Sequence, residues 1–254
     1  MNKTQKNNPF GLSGVYRYYL AFGSISKCER MLDVGCGDGR FISKVDQVEG
    51  RYGCDPSLKA ISLAREKYKN IDFKVINQGD KLPYKSSYFD LVTALEVLEH
   101  VADRKAFIEE LYRVLKPGGK LILTTPHAGL TGWFDVGNLK FRFPGVHRAI
   151  VEFVKGKDYY MDVYMGSMCG DMSKGLTEHH HFTAEEIKRL LKGKFRVENL
   201  LAYGLFVPFV LLVKDFLKAV LGKEPKFIKN LVMLDAKLFT GKVGYSIFVE
   251  AIKK

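Results

Sequence analysis

The decapeptide MLDVGCGDGR, residues 31–40, places three glycines and two aspartates directly behind a short apolar run. Gly35, Gly37 and Gly39 allow a sharp turn and close approach of a ligand to the main chain. An apolar run ending in such a turn marks the C-terminal end of a strand that feeds a helix. Strands of that kind pair in parallel and need long crossovers, so this one junction already selects an α/β architecture. The next hundred residues keep the rhythm. RMLDVG, RYGCD, IDFKVI, YFDLVTAL and KLILTTP read as five strands. Helices are expected through DGRFISKV, through PSLKAISLAREKYK with Pro56 in its first turn, and through DRKAFIEELYRVL, stopped by KPGG.

After Pro126 the rhythm breaks. Residues 127–178 are rich in glycine and aromatics without a clear period, and a long irregular segment in a compact domain is more often functional than idle. Order returns at FTAEEIKRLLKGKF, where Thr183 and Glu186 have the spacing of a capping box. KFRVENLLAYG and GYSIFVEAIKK complete seven strands, separated by a second, strongly apolar insertion at 205–240. The chain of 254 residues fits one domain, 1–254, with those two insertions. Its polar N-terminus shows no apolar leader, and the run Leu200–Val213 is too short to span a bilayer. A cytoplasmic location, with peripheral membrane contact as an option, is the expectation. Cys28, Cys36, Cys54 and Cys169 lack metal or redox spacing and read as free thiols. The formal net charge of +12 favours an anionic partner without naming one.

The glycine spacing narrows the ligand. A pyrophosphate-binding turn wants G-x-G-x-x-G, and the third glycine position here is Arg40. Asp33 at the strand end suits a cationic ligand better than one with two phosphates. Asp55 ends the second strand, twenty residues after Gly35, where a carboxylate can accept both ribose hydroxyls. A ribonucleoside with a cationic tail and no pyrophosphate describes S-adenosylmethionine.

The ordered set MLDVGCGDGR, YGCDPS, LPYKSSYFDLVTALEVLEHV, LYRVLKPGGKLILTTP and EHHHFTAEEIKRLL resembles class I S-adenosylmethionine-dependent methyltransferases, in the broad group that includes the ubiquinone-biosynthesis O-methyltransferases. The resemblance implies a Rossmann-like seven-stranded, mostly parallel sheet with an antiparallel last strand and helices on both faces. It implies that Asp33, Gly35, Cys36 and Gly37 line the methionine end of the cofactor, that Asp55 binds the ribose, and that Pro56 packs near the adenine. The family's acid four residues before LP is replaced here by Gln78; Gln78, Gly79 and Asp80 are all candidates for the adenine contact. Glu96 borders the methionine pocket.

Methyl transfer to oxygen needs a positioned nucleophile and a group that takes its proton. TALEVLEHV lacks the Asn/Asp-Pro-Pro-aromatic run of amide and adenine methylation, and no Pro-Cys points to pyrimidine C5 chemistry. Glu96, Glu99 and His100 have the donor chemistry to hold a divalent cation. The plainer reading is that Glu96 uses its backbone and His100 packs or hydrogen-bonds, so no metal site is expected. In the run Glu178–His181, His179 is the first candidate for general base and His181 the second; His100 and His127 follow.

The aromatics Trp133, Phe134, Phe141, Phe143, Tyr159, Tyr160 and Tyr164, with Lys140, Arg142, His147 and Arg148 among them, form an expected substrate lid. Helices expected at 208–222 and 225–241 carry apolar faces edged with lysines, which suits an anionic membrane interface, packing on the sheet, or a homodimer contact. Together these features imply O-methylation of a small or membrane-associated acceptor: a quinone, lipid or glycolipid. An RNA methyltransferase and a non-catalytic S-adenosylmethionine-binding protein are the alternatives, and an NAD-linked oxidoreductase ranks last.

Overall fold

The computed structural model describes residues 18, 20–129, 143–157, 180–204, 206, 213, 217, 234–235 and 244–254. Most of both insertions, including the two expected apolar helices, and Cys169 and His179, lie outside these residues. Seven strands form one sheet: β1 (Cys28–Val34), β2 (Val48–Asp55), β3 (Asp72–Val75), β4 (Phe89–Leu95), β5 (Leu115–Pro126), β6 (Phe195–Tyr203) and β7 (Ser246–Lys253). Their order is β3-β2-β1-β4-β5-β7-β6. β1 to β5 pair in parallel, and β7 runs antiparallel to both β5 and β6. The described helices are α1 (Leu58–Lys67), α2 (Arg104–Val114), α3 (Pro144–Lys155) and α4 (Ala184–Leu191). The strand order reverses between β1 and β4, and at such a switch point the carboxyl ends of the strands open a ligand crevice.

The two-residue side-chain period of the strands sorts the core into two layers. Leu32, Val34, Val92, Ala94, Leu121, Leu123 and Val249 face Ile108 and Leu111 of α2 and Ile187 and Leu191 of α4. Met31, Leu91, Leu95, Ile122 and Phe248 face the other way, toward Ala21, Phe41 and Val45. Val213 and Leu217, from the second insertion, pack against this second layer. Those two apolar side chains are therefore spent on the sheet.

Three local expectations need correction. DGRFISKV is not an α-helix: a 3-10 turn at Ile42–Lys44 is all that forms. Gly39 holds φ +76°, and β2 begins at Val48, which leaves too little chain for stable α-helical turns. Pro56 precedes the helix rather than opening it, because Ser57 is the N-cap and its side chain accepts from the Ala60 N–H. The KPGG segment belongs to β5, which starts at Leu115. The capping box is present as expected: Thr183 Oγ1 accepts from Glu186 N, and Glu186 accepts from Thr183 N at 2.7 Å.

The end of α2 is closed from the far end of the chain. Lys253 Nζ donates to the Tyr112 and Leu115 carbonyls at 2.6 and 2.7 Å and lies 4.1 Å from the Tyr112 ring. An ammonium at a helix C-terminus satisfies orphan carbonyls and opposes the helix dipole. At the other side of the helix, Glu110 and Arg113 clamp the LP loop, through Leu82 N to Glu110 and Arg113 to the Leu82 and Tyr84 carbonyls. Lys253→Met should lower the unfolding free energy by about 2 kcal/mol, the worth of a charge-assisted hydrogen bond. Urea denaturation measures this, and an unchanged midpoint would mean that water replaces the ammonium without loss.

Candidate functional site

The site is built where β1, β2 and β4 end. Gly35 N and Cys36 N both donate to the Cys54 carbonyl, at 2.8 and 3.1 Å, which folds the glycine turn back over β2. Gly35 has φ +75° and packs so closely that an added Cβ would sit 2.3 Å from Val97 Cγ2. Gly37 also has a positive φ, +54°, yet nothing lies within 4 Å of where its Cβ would be. The first glycine is needed for packing; the second borders open space, as a ligand cradle does. Cys36 contributes backbone only: its buried side chain sits with Ile42, Ile61 and Phe73. Burial pushes the Cys36 and Cys54 thiols up, so neither is poised as a nucleophile.

Asp55 is anchored by two main-chain donors, Gly37 N at 2.9 Å on one oxygen and Ser57 N at 2.8 Å on the other. Each carboxylate oxygen keeps a further lone pair for a hydroxyl. Pro56 follows, half-buried, between this acid and the N-cap of α1.

Asp33 is buried to 3% exposure. The β1–β4 register sets it directly opposite Thr93, whose Oγ1 donates to Asp33 Oδ1 at 2.6 Å. Burial pushes the Asp33 carboxyl up to about 7; the Thr93 hydroxyl pulls it down, and the Asp55 charge adds to the rise. Thr93 is a site residue that sequence reasoning missed, since it lies sixty residues from its partner inside an apolar run.

Gln78, Gly79 and Asp80 are exposed and follow β3. Gln78 Nε2 donates to the His100 carbonyl at 2.6 Å, tying this loop to the 3-10 turn Leu98–His100. A carbonyl can only accept, so the amide nitrogen must face it, and the side-chain oxygen of Gln78 remains to take an amine proton. Asp80 instead accepts from Asn77 Nδ2 at 2.9 Å. Gly79, at φ +88°, also borders open space.

Glu96 ends β4 in the left-handed region, φ +56°, which is costly for a non-glycine residue and recurs at ligand sites. Its N–H is held by the Thr124 carbonyl at 3.0 Å and the Thr124 hydroxyl at 3.1 Å. Glu99 is buried and takes the Thr125 hydroxyl at 3.1 Å, with His100 Nε2 3.7 Å away. Among the described residues no group of three acids, cysteines or histidines is assembled as a metal site, and Glu96, Glu99 and His100 do not form one. His181 is half-buried just before α4, and His179 lies outside the described residues.

The strand order, the glycine turn and the two acids give a Rossmann-like fold with an open cradle at the carboxyl ends of its strands. A buried carboxylate with no cation beside it among the described residues, an acid ready for two hydroxyls, and glycines bordering open space fit the ammonium, ribose and backbone contacts of S-adenosylmethionine. The chain matches the family described as methyltransferase domain over residues 32–123. It is 36% identical over 110 residues to the ubiquinone biosynthesis O-methyltransferase of Idiomarina loihiensis, covering 41% of this chain and 45% of that protein. It is 32% identical over 124 residues to the demethylmenaquinone methyltransferase of Oceanobacillus iheyensis, covering 45% of this chain and 52% of that protein. The chain thus spans about half the length of these curated relatives. The fold is shared with an S-adenosylmethionine-dependent methyltransferase from Mesorhizobium loti (TM-score 0.55, 19% identity, 95% of this chain and 100% of that one). It is shared also with phosphoethanolamine N-methyltransferase 2 of Haemonchus contortus, solved with S-adenosyl-L-methionine (TM-score 0.55, 19% identity, 92% of this chain and 50% of that one).

A cationic ligand binds the ionised form of Asp33. Because the free carboxyl titrates at about 7, binding below that pH must expel a proton. Affinity for S-adenosylmethionine should therefore fall as pH drops below about 7, approaching tenfold per unit, and should level off above it. The ligand-free chain shows the opposite sign. A carboxyl raised above its unfolded value of about 3.9 contributes stability below that value, and the contribution is lost as pH rises through about 7. Calorimetric titrations of wild type and Asp33→Asn between these limits test both; a wild-type slope that persists in the variant would assign it to another group.

Proposed function

We propose that this protein transfers a methyl group from S-adenosylmethionine to a hydroxyl of a small or membrane-borne, quinone-like acceptor. The observation that carries the cofactor half is the buried Asp33 beside the open face of Gly37. The names of its relatives, ubiquinone biosynthesis O-methyltransferase and demethylmenaquinone methyltransferase, support the acceptor half. The bound cofactor supplies a methyl carbon activated by a sulfonium. The protein orients that carbon through Asp33 and Asp55 and the main chain of the glycine turn, and holds the acceptor over the ends of β4 and β5.

α3 supports a membrane-borne acceptor. Phe143, Val146 and Phe153 are 59, 53 and 79% exposed and fall on one side of the helix. Exposed Lys157 follows the helix, while Arg148 lies on its opposite side and is paired to Glu152 at 2.8 Å. An exposed apolar side of a helix suits a lipid interface. No described helix is long and apolar enough to cross a membrane.

Methyl-labelled S-adenosylmethionine incubated with the protein and a cell extract should place label in the organic phase. Label confined to RNA would replace the quinone reading with the nucleic-acid one. In sedimentation with vesicles containing phosphatidylglycerol, the Phe143→Ser, Phe153→Ser double variant should lose most of the wild-type binding; equal pelleting would remove α3 from the interface.

A further inference from the structure

β5 ends against a stretch that the sequence places far away. Phe182 N donates to the Pro126 carbonyl at 2.9 Å, and Ala128 N donates to the Phe182 carbonyl at 2.8 Å. His127 and Phe182 thereby form an isolated parallel bridge just before α4, directly after His180 and His181. His127 itself is 5% exposed, the buried histidine among the described side chains. Its Nδ1 lies 2.7 Å from the Gly244 carbonyl, and its N–H donates to the Tyr245 carbonyl at 2.8 Å.

The tether fixes the ring's chemistry. A carbonyl only accepts, so Nδ1 carries the proton and Nε2 carries the lone pair. Gly244 has no room for a side chain, because a Cβ there would meet Tyr203 N at 2.5 Å, and Gly129 packs against the same nitrogen, its added Cβ 2.9 Å from Nδ1. Nε2 makes no hydrogen bond within the described residues, and it is not among the buried atoms sealed from solvent without a partner. A buried imidazole held in one tautomer by one nitrogen, with the other left open, is the arrangement of a proton acceptor. It stands at the carboxyl end of β5, three residues beyond Thr124, which holds Glu96 at the end of β4. By contrast, His100 is set against Glu99, and His180 lies edge-on to the Phe182 ring at 4.5 Å.

We propose that His127, rather than His179, His181 or His100, is the general base of the transfer; the assignment rests on the O-methyltransferase reading above. The acceptor's O–H bond breaks and its proton passes to His127 Nε2. The oxygen forms a bond to the methyl carbon as the carbon–sulfur bond breaks, its electron pair staying on sulfur, and the proton later leaves Nε2 for water.

The test compares wild type with His127→Asn, whose amide nitrogen stands where Nδ1 was and can keep the bond to Gly244 while nothing replaces Nε2. The acceptors are the organic-phase extract and 3,4-dihydroxybenzoate, a water-soluble catechol probe. The variant should bind S-adenosylmethionine with unchanged affinity and melt with wild type, while kcat falls by about a hundredfold or more. Nitrogen NMR of histidine-labelled wild type should show His127 neutral with its proton on Nδ1. An active wild type matched by an equally active variant overturns the base assignment alone. A wild type that binds the cofactor but methylates neither acceptor overturns the transferase reading and the base with it. A proton on Nε2 of the neutral ring overturns the base assignment whatever the turnover.

Discussion

Asp33 brings a carboxylate into the interior between two parallel strands, with the Thr93 hydroxyl 2.6 Å away as its short contact. One neutral donor does not offset the loss of water around a full charge, so the group drifts toward its protonated form. The arrangement is electrostatically incomplete without a cation. Everything around it serves to hold that incompleteness in place. The β1–β4 register sets the two side chains opposite one another, and the crossovers on both faces keep β1 and β4 central. The glycine turn carries the main chain off the end of β1 and back over β2.

The second acid works on the opposite principle. Asp55 has two main-chain donors and lies only partly enclosed, so its site is assembled before any ligand arrives. A hydroxyl-bearing ligand then adds to an existing network, whereas a cation at Asp33 completes a missing one. In the function proposed above the two carboxylates would divide recognition in this way: Asp55 would orient the ligand, and Asp33 would select its charge. The same division separates this cradle from a dinucleotide site, where a helix N-terminus and a third glycine would receive a pyrophosphate. Here Arg40 takes that glycine's place and is occupied with Asp38 at 3.1 Å.

What the sequence made legible follows distance along the chain. The strand rhythm, the glycine turn, Asp55 and the Thr183–Glu186 cap were readable because each depends on residues a few positions apart. The helix expected at DGRFISKV failed for a local reason that composition hides: the turn consumes the residues a helix needs before β2 begins. The partners of Asp33 and His127 were not legible at all. Thr93 is an ordinary strand threonine until the register places it, and Gly244 reaches His127 across 117 residues. Glu96 gives no sequence signal for a left-handed backbone, since that conformation is imposed by the two bonds from Thr124.

The long-range contacts also explain why the candidate base moved from the lid to the sheet. A histidine whose ring the fold does not hold must be ordered by the acceptor itself, and each binding event bears that conformational cost. His127 has lost this freedom on folding, because β5, β7 and the Phe182 segment have already fixed its ring. His181 is followed by Phe182, whose main chain grips Pro126 and Ala128 on either side of His127.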